Sequence, residues 1–120
     1  MPQRAKVPAL RRLQVVFRPE ARGDLDEIFH HIWLASQSLA VAEGFVRRIK
    51  ARCDRIGDIP LGGRGRDDLE PGLRTVAFER SAVIAYKVEA ERVRITDVFY
   101  GGRDFEALYR GGGDPDQLGA

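Results

Sequence analysis

The chain has 120 residues, 43% of them hydrophobic and 32% charged, with a formal net charge of +2. That length holds one domain with a real core rather than two, and the balance excludes disordered and fibrous classes. The single cysteine, Cys53, rules out an intramolecular disulfide and a multi-cysteine metal site, and no run approaches the ~20 apolar residues needed to cross a bilayer.

The N-terminus, MPQRAKVPALRR, is basic but lacks the apolar segment that completes a secretory signal. A soluble, cytoplasmic protein is therefore expected. Pro2, Pro8 and scattered charges make residues 1–12 a flexible arm. LQVVF, residues 13–17, is short, β-branched and apolar, and Pro19 closes it: this is the first strand. From Pro19 the period changes. Leu25, Ile28, Phe29, Ile32 and Trp33 share one helical face, so a helix runs to near Ala35, with Glu20, Asp24, Asp26 and Glu27 complementing its N-terminal dipole. Ser36 or Ser38 caps a second helix whose apolar positions are Ala42, Phe45, Val46, Ile49, Cys53 and Ile56; Gly57 and Pro60 end it. The short link favours an antiparallel pair. On that apolar face Cys53 reads as a small hydrophobe.

Residues 62–74, GGRGRDDLEPGLR, crowd glycines, arginines and carboxylates into one connection. The spacing matches no nucleotide-binding loop, and no helix follows to hold an anion. Pro71 and Gly72 read as a turn feeding Leu73 into a strand, with Asp67 and Asp68 placed to neutralise Arg64 and Arg66. LRTVAFE, AVIAYKV and RVRITDVFY follow as three strands joined by two tight hairpins, and residues 108–120 form a flexible, glycine-rich tail. The order strand, helix, helix, strand, strand, strand defines an α+β fold over residues 13–107: an antiparallel helical hairpin on one face of a small, largely antiparallel twisted sheet.

Residues 47–66 carry Arg47, Arg48, Lys50, Arg52, Arg55, Arg64 and Arg66 against only Asp54 and Asp58. Such a patch suits an acidic protein, a nucleic acid or simply a solvated helix face. His30 and His31 are adjacent, so they do not share a helical face and make a poor metal pair; surface positions are expected. With no Ser-His-Asp order, phosphate loop or zinc spacing, no metal and no cofactor is expected. RNA cleavage needs neither. It requires a base, an acid and cations for the pentacoordinate phosphorus. Arg64, Arg66, Arg74 and Arg103 offer the cations, Tyr86 and Tyr100 offer stacking or proton transfer, and Glu79 or Asp97 would serve as base if burial raised its pKa. Each has a plainer role: Tyr86 as a core aromatic, Arg103 paired with Asp104, Arg74 pinned by a first-helix carboxylate.

Five strings in order, FRPEARGDLDEIFHHIW, AEGFVRRIKARCDRI, PLGGRGRDDLEPGLR, AVIAYKV and ITDVFYGGRDFE, give the chain a resemblance to the ParE branch of the RelE/ParE superfamily, covering about residues 13–107. These are bacterial toxins of type II toxin-antitoxin modules. The resemblance implies a bacterial cytoplasmic protein with a cognate antitoxin, ParD-like or similar, and growth arrest on release. For ParE-like members the implied target is DNA gyrase, inhibited by binding; for RelE-like members it is messenger RNA on the ribosome, cut by an endonuclease. A third reading is a homologue that binds its antitoxin without toxicity. GRGRDDLEPGLR resembles the ParE branch, where Arg47, Arg48, Lys50, Arg52, Arg64, Arg66, Tyr100 and Arg103 become candidates for target or antitoxin contact. Two features depart from the family pattern: Tyr100 stands where ParE-like chains commonly have His, and Arg18 stands where many have a capping residue such as Ser.

Overall fold

The computed structural model describes residues 12–110, so most of the expected arm (1–12) and tail (108–120) lies outside the described residues. The elements are β1 (Gln14–Phe17), α1 (Pro19–Ser36), α2 (Leu39–Ile56), a 3-10 turn (Pro60–Gly62), β2 (Arg64–Gly65), β3 (Arg74–Phe78), β4 (Ala82–Glu89), β5 (Arg92–Tyr100) and α3 (Phe105–Arg110). The sheet runs β1-β5-β4-β3-β2. β1 lies parallel to β5, and every other pair is antiparallel.

Local chemistry sets the helix ends. Arg18 contributes no side-chain cap to α1, leaving Pro19 and Glu20 to start it, whereas Ser38 Oγ accepts from the Val41 N–H at 3.1 Å and caps α2. At the end of α2 the chain passes the start of the sheet, where the Leu13 N–H donates to the Gly57 carbonyl at 2.9 Å. A Cβ on residue 57 would strike the Leu13 backbone, so only glycine permits this approach.

The main core lies between the helix pair and the sheet: Leu25, Ile28 and Ile32 from α1, Phe45, Ile49 and Cys53 from α2, and Ile84, Tyr86, Val93, Ile95 and Val98 from β4 and β5. Burial pushes the Cys53 thiol up to about 12, which leaves it protonated and inert. Trp33 departs from the expected apolar face. It is 38% exposed and packs edge-on against His30, because the last turn of α1 places it beyond the core.

A bulge in β5 keeps that core continuous. Ala85 faces Asp97 and Tyr86 faces Ile95, so Thr96 is the extra residue; its hydroxyl donates to the Ala85 carbonyl at 3.2 Å. Beyond the bulge the alternation shifts by one, and Val98 and Tyr100 join Val93 and Ile95 on the helix side. The other face holds a smaller cluster, Leu73, Ala85 and Phe99, covered by α3 through Phe105 stacked on Phe99 at 5.2 Å. α3 crosses the boundary expected at residue 107, and β2 makes the sheet five-stranded. Among the described residues, no helix is long and apolar enough to cross a membrane.

Candidate functional site

Between α1 and α2, beside the end of β1, lies a groove of about 790 Å³. Phe17, Leu25, Phe29 and Val46 form its apolar floor; Arg22, Arg47 and Lys50 outnumber Asp26 and Glu43 on its rim. The periodicity that buries Leu25 and Phe45 leaves Phe29 and Val46 at the seam between the helices, which is why an apolar strip remains open there. Arg47 and Lys50, expected contact residues, sit on this groove. Arg48 does not: its guanidinium donates to both Glu79 carboxylate oxygens, at 2.8 and 3.0 Å, and lies over the Phe45 ring. That pairing holds Glu79 below the usual carboxylate range and removes it as a base.

The residues assembled in sequence for RNA cleavage occupy separate places. Tyr86 is fully buried; its hydroxyl donates to the Pro60 carbonyl at 2.7 Å and accepts from the Gly63 N–H at 2.9 Å. Arg74 is held by the carbonyls of Leu61 (3.2 Å) and Gly63 (2.9 Å), not by a first-helix carboxylate, because β3 lies three strands away from β1, the edge that α1 follows. Along β4, Arg74 faces Tyr86 while Tyr100 faces Ala82, four residues away. At strand rise that is ~13 Å, too far for one reacting phosphate.

Tyr100 instead meets α1 and α2, edge-on to His31 (5.6 Å between centroids) and to Phe45 (5.5 Å). Asp24, Glu27, His31, Tyr100 and Arg103 line a small hollow there, of about 150 Å³. His31 is exposed, as expected of a surface position, and its place on the α1 flank brings it against Tyr100. Arg103 lies over the Phe99 ring at 5.7 Å, and Asp104 instead accepts from the Ala107 N–H at 3.3 Å. Asp97 is held above the usual carboxylate range by burial, as a base requires, but it lines a hollow on the opposite face of the sheet, with Thr96 and Tyr109.

Arg66 is committed structurally. Its side chain is 8% exposed and donates to Asp68 (2.9 and 3.0 Å) and to Glu106 of α3 (2.7 Å). Asp67 accepts from the Gly72 N–H at 2.7 Å instead of neutralising Arg64. The Arg66 hydrogen bond holds Glu106 below the usual carboxylate range, so the tie to α3 persists at neutral pH. Arg66→Met is expected to speed amide exchange across residues 105–110 while leaving β4 and β5 protected, measured by hydrogen–deuterium exchange.

The chain is thus a helical hairpin on a mixed sheet with one parallel edge strand, and an open, cation-rimmed groove lies between the helices. Residues 15–105 match the family described as "ParE toxin of type II toxin-antitoxin system, parDE". The chain is 34% identical over 79 residues to Toxin ParE3 of Caulobacter vibrioides, a match spanning 66% of this chain and 77% of that protein. Its fold superposes on a solved structure titled "Chromosomal ParDE TA system from P. aeruginosa" with a TM-score of 0.65 and 22% identity, covering 74% of this chain and 96% of the other. The chain belongs to the ParE toxin family, the toxin component of a type II toxin-antitoxin system.

Proposed function

We propose that this ParE toxin arrests growth by binding DNA gyrase, and that a cognate ParD-like antitoxin neutralises it by laying an acidic, amphipathic segment into the α1/α2 groove. The groove carries this reading. An apolar floor of Phe17, Leu25, Phe29 and Val46 with an excess of Arg22, Arg47 and Lys50 on the rim suits a helix whose apolar stripe is flanked by carboxylates. The scattering of the cleavage candidates supports action by binding rather than catalysis. Purified protein is expected to inhibit gyrase supercoiling or trap cleaved DNA, to leave ribosome-bound mRNA intact, and to lose inhibition when the antitoxin is added. Codon-dependent mRNA cuts with normal supercoiling would overturn the proposal.

One cluster favours the ribonuclease reading: His31 beside Tyr100 and Arg103 supplies an imidazole, a hydroxyl and a cation in one hollow. Under that reading Tyr100→Phe and Arg103→Ala abolish mRNA cleavage without unfolding the protein. Expression without the antitoxin, scored for growth arrest, separates both readings from a non-toxic antitoxin binder.

A further inference from the structure

A second surface lies at the other end of α2, where the chain turns toward β2. Ile59 and Leu61 are 68% and 67% exposed there, the most exposed large hydrophobic side chains among the described residues. The loop that presents them is firmly tied. Tyr86 Oη bonds Pro60 and Gly63, Arg74 bonds the Leu61 and Gly63 carbonyls, and the Gly62 N–H donates to the Ile59 carbonyl at 2.9 Å. Gly63 is required, because a Cβ at that position would collide with the Tyr86 hydroxyl. Two apolar groups are thus held out toward solvent by a buried tyrosine and a strand arginine, so little ordering entropy remains to be lost on contact.

The surroundings are cationic. Arg52, Arg55 and Arg64 flank the loop, and among the described residues no carboxylate pairs with any of the three; Asp58, at the rim, is engaged by Arg12. A hollow of about 440 Å³ opens between α2 and this loop, and it shares no lining residue with the α1/α2 groove.

We infer that the Ile59–Leu61 loop with Arg52, Arg55 and Arg64 is the target-facing surface of the toxin, taking a protein segment that carries both carboxylates and apolar side chains. Exposed aliphatic anchors argue for protein over nucleic acid, since phosphates would use the arginines and leave Ile59 and Leu61 in water. The separation from the groove lets antitoxin and target be bound by different residues. The inference rests on the gyrase reading above.

The test measures binding of purified gyrase and, separately, of the cognate antitoxin to wild type, to the double variant Ile59→Ser with Leu61→Ser, and to the double variant Arg52→Glu with Arg55→Glu. All four positions lie at the surface, and circular dichroism checks that the variants are folded. The serine variant is expected to weaken gyrase binding roughly tenfold or more, as loss of interface anchors does, with antitoxin affinity held within about twofold. The glutamate variant slows association with gyrase and flattens its salt dependence. Unchanged gyrase binding by the serine variant overturns the inference and leaves the gyrase reading standing; a wild type that binds no gyrase overturns the gyrase reading and this inference with it. Loss of antitoxin binding in the serine variant reassigns the surface to the antitoxin and overturns the inference. Binding to a linear DNA duplex that falls with the glutamate but not the serine variant overturns it in favour of phosphate recognition.

Discussion

Tyr86→Phe is expected to lower stability by about 1–2 kcal/mol, and Tyr86→Ala by about 3–5 kcal/mol. The two substitutions divide the residue's work. Phe keeps the ring, which is fully buried among α2, β4 and β5, and removes only the hydroxyl; the Gly63 N–H and the Pro60 carbonyl then lose their partner at the edge of the core. Ala also removes the ring, and the core can close only partly over the space. Burial holds the Tyr86 hydroxyl above its ordinary pKa, so it stays a donor to Pro60 throughout the neutral range. Chemical denaturation gives the two stability losses. Amide exchange at Gly62 and Gly63 gives the local one: in the Phe variant it rises more than exchange in β4, because the loop loosens while the core persists. Equal changes in both places would show that the hydroxyl does not anchor the loop.

Tyr86 also shows where sequence reading succeeds and where it stops. Its place in AVIAYKV, an apolar strand, identified a core aromatic with a rim hydroxyl, because alternation is a local property of the chain. The same holds for the α1 and α2 periods, the Ser38 cap and the two hairpins. What the hydroxyl touches was not legible, since Pro60 and Gly63 lie more than twenty residues away and meet it only through the fold. β2 escaped for a related reason. Arg64 and Gly65 are both exposed and bond only through the backbone to β3, so no apolar pattern marks them. Two other features did leave a signal. The spacing of Val93, Ile95, Val98 and Tyr100, two then three then two, records the bulge at Thr96. Phe105 and Tyr109 stand at i and i+4 after Asp104, a short helix with one apolar side. The groove was the least legible part, because Phe17, Leu25 and Val46 come from three elements whose packing is not a property of any one segment.

Asp24 gives the second large expected effect, and its sign depends on pH. Where β1 stops pairing with β5 at Ile95, the outer edge of β5 would be left open; Asp24 of α1 reaches it and accepts from the Val98 N–H at 2.8 Å. Asp24→Ala removes that acceptor from a donor on a buried residue and is expected to cost about 1–3 kcal/mol, toward the lower end because the carboxylate itself is only half-buried. Asp24→Asn keeps an acceptor oxygen. Burial, opposed by the Val98 hydrogen bond and reinforced by the nearby charges of Asp97 and Glu27, raises the Asp24 carboxyl above its ordinary pKa. For an acid raised on folding, the unfolded chain releases the proton first. Its favourable contribution is therefore complete below the unfolded carboxylate pKa and is lost as pH climbs through the folded value. At pH 7 the order of stability is expected to be Asn at or above wild type, with Ala lowest; on acidification wild type gains on Asn until the gap closes. The wild-type-minus-Asn difference in unfolding free energy across pH 3 to 7 isolates this residue from Glu20, Asp68, Glu79 and Glu106, whose lowered pKa values move stability the opposite way in both proteins. A wild-type-minus-Asn difference that becomes more negative on acidification would mean that the ionised carboxylate, through its bond to Val98, is the form the fold prefers.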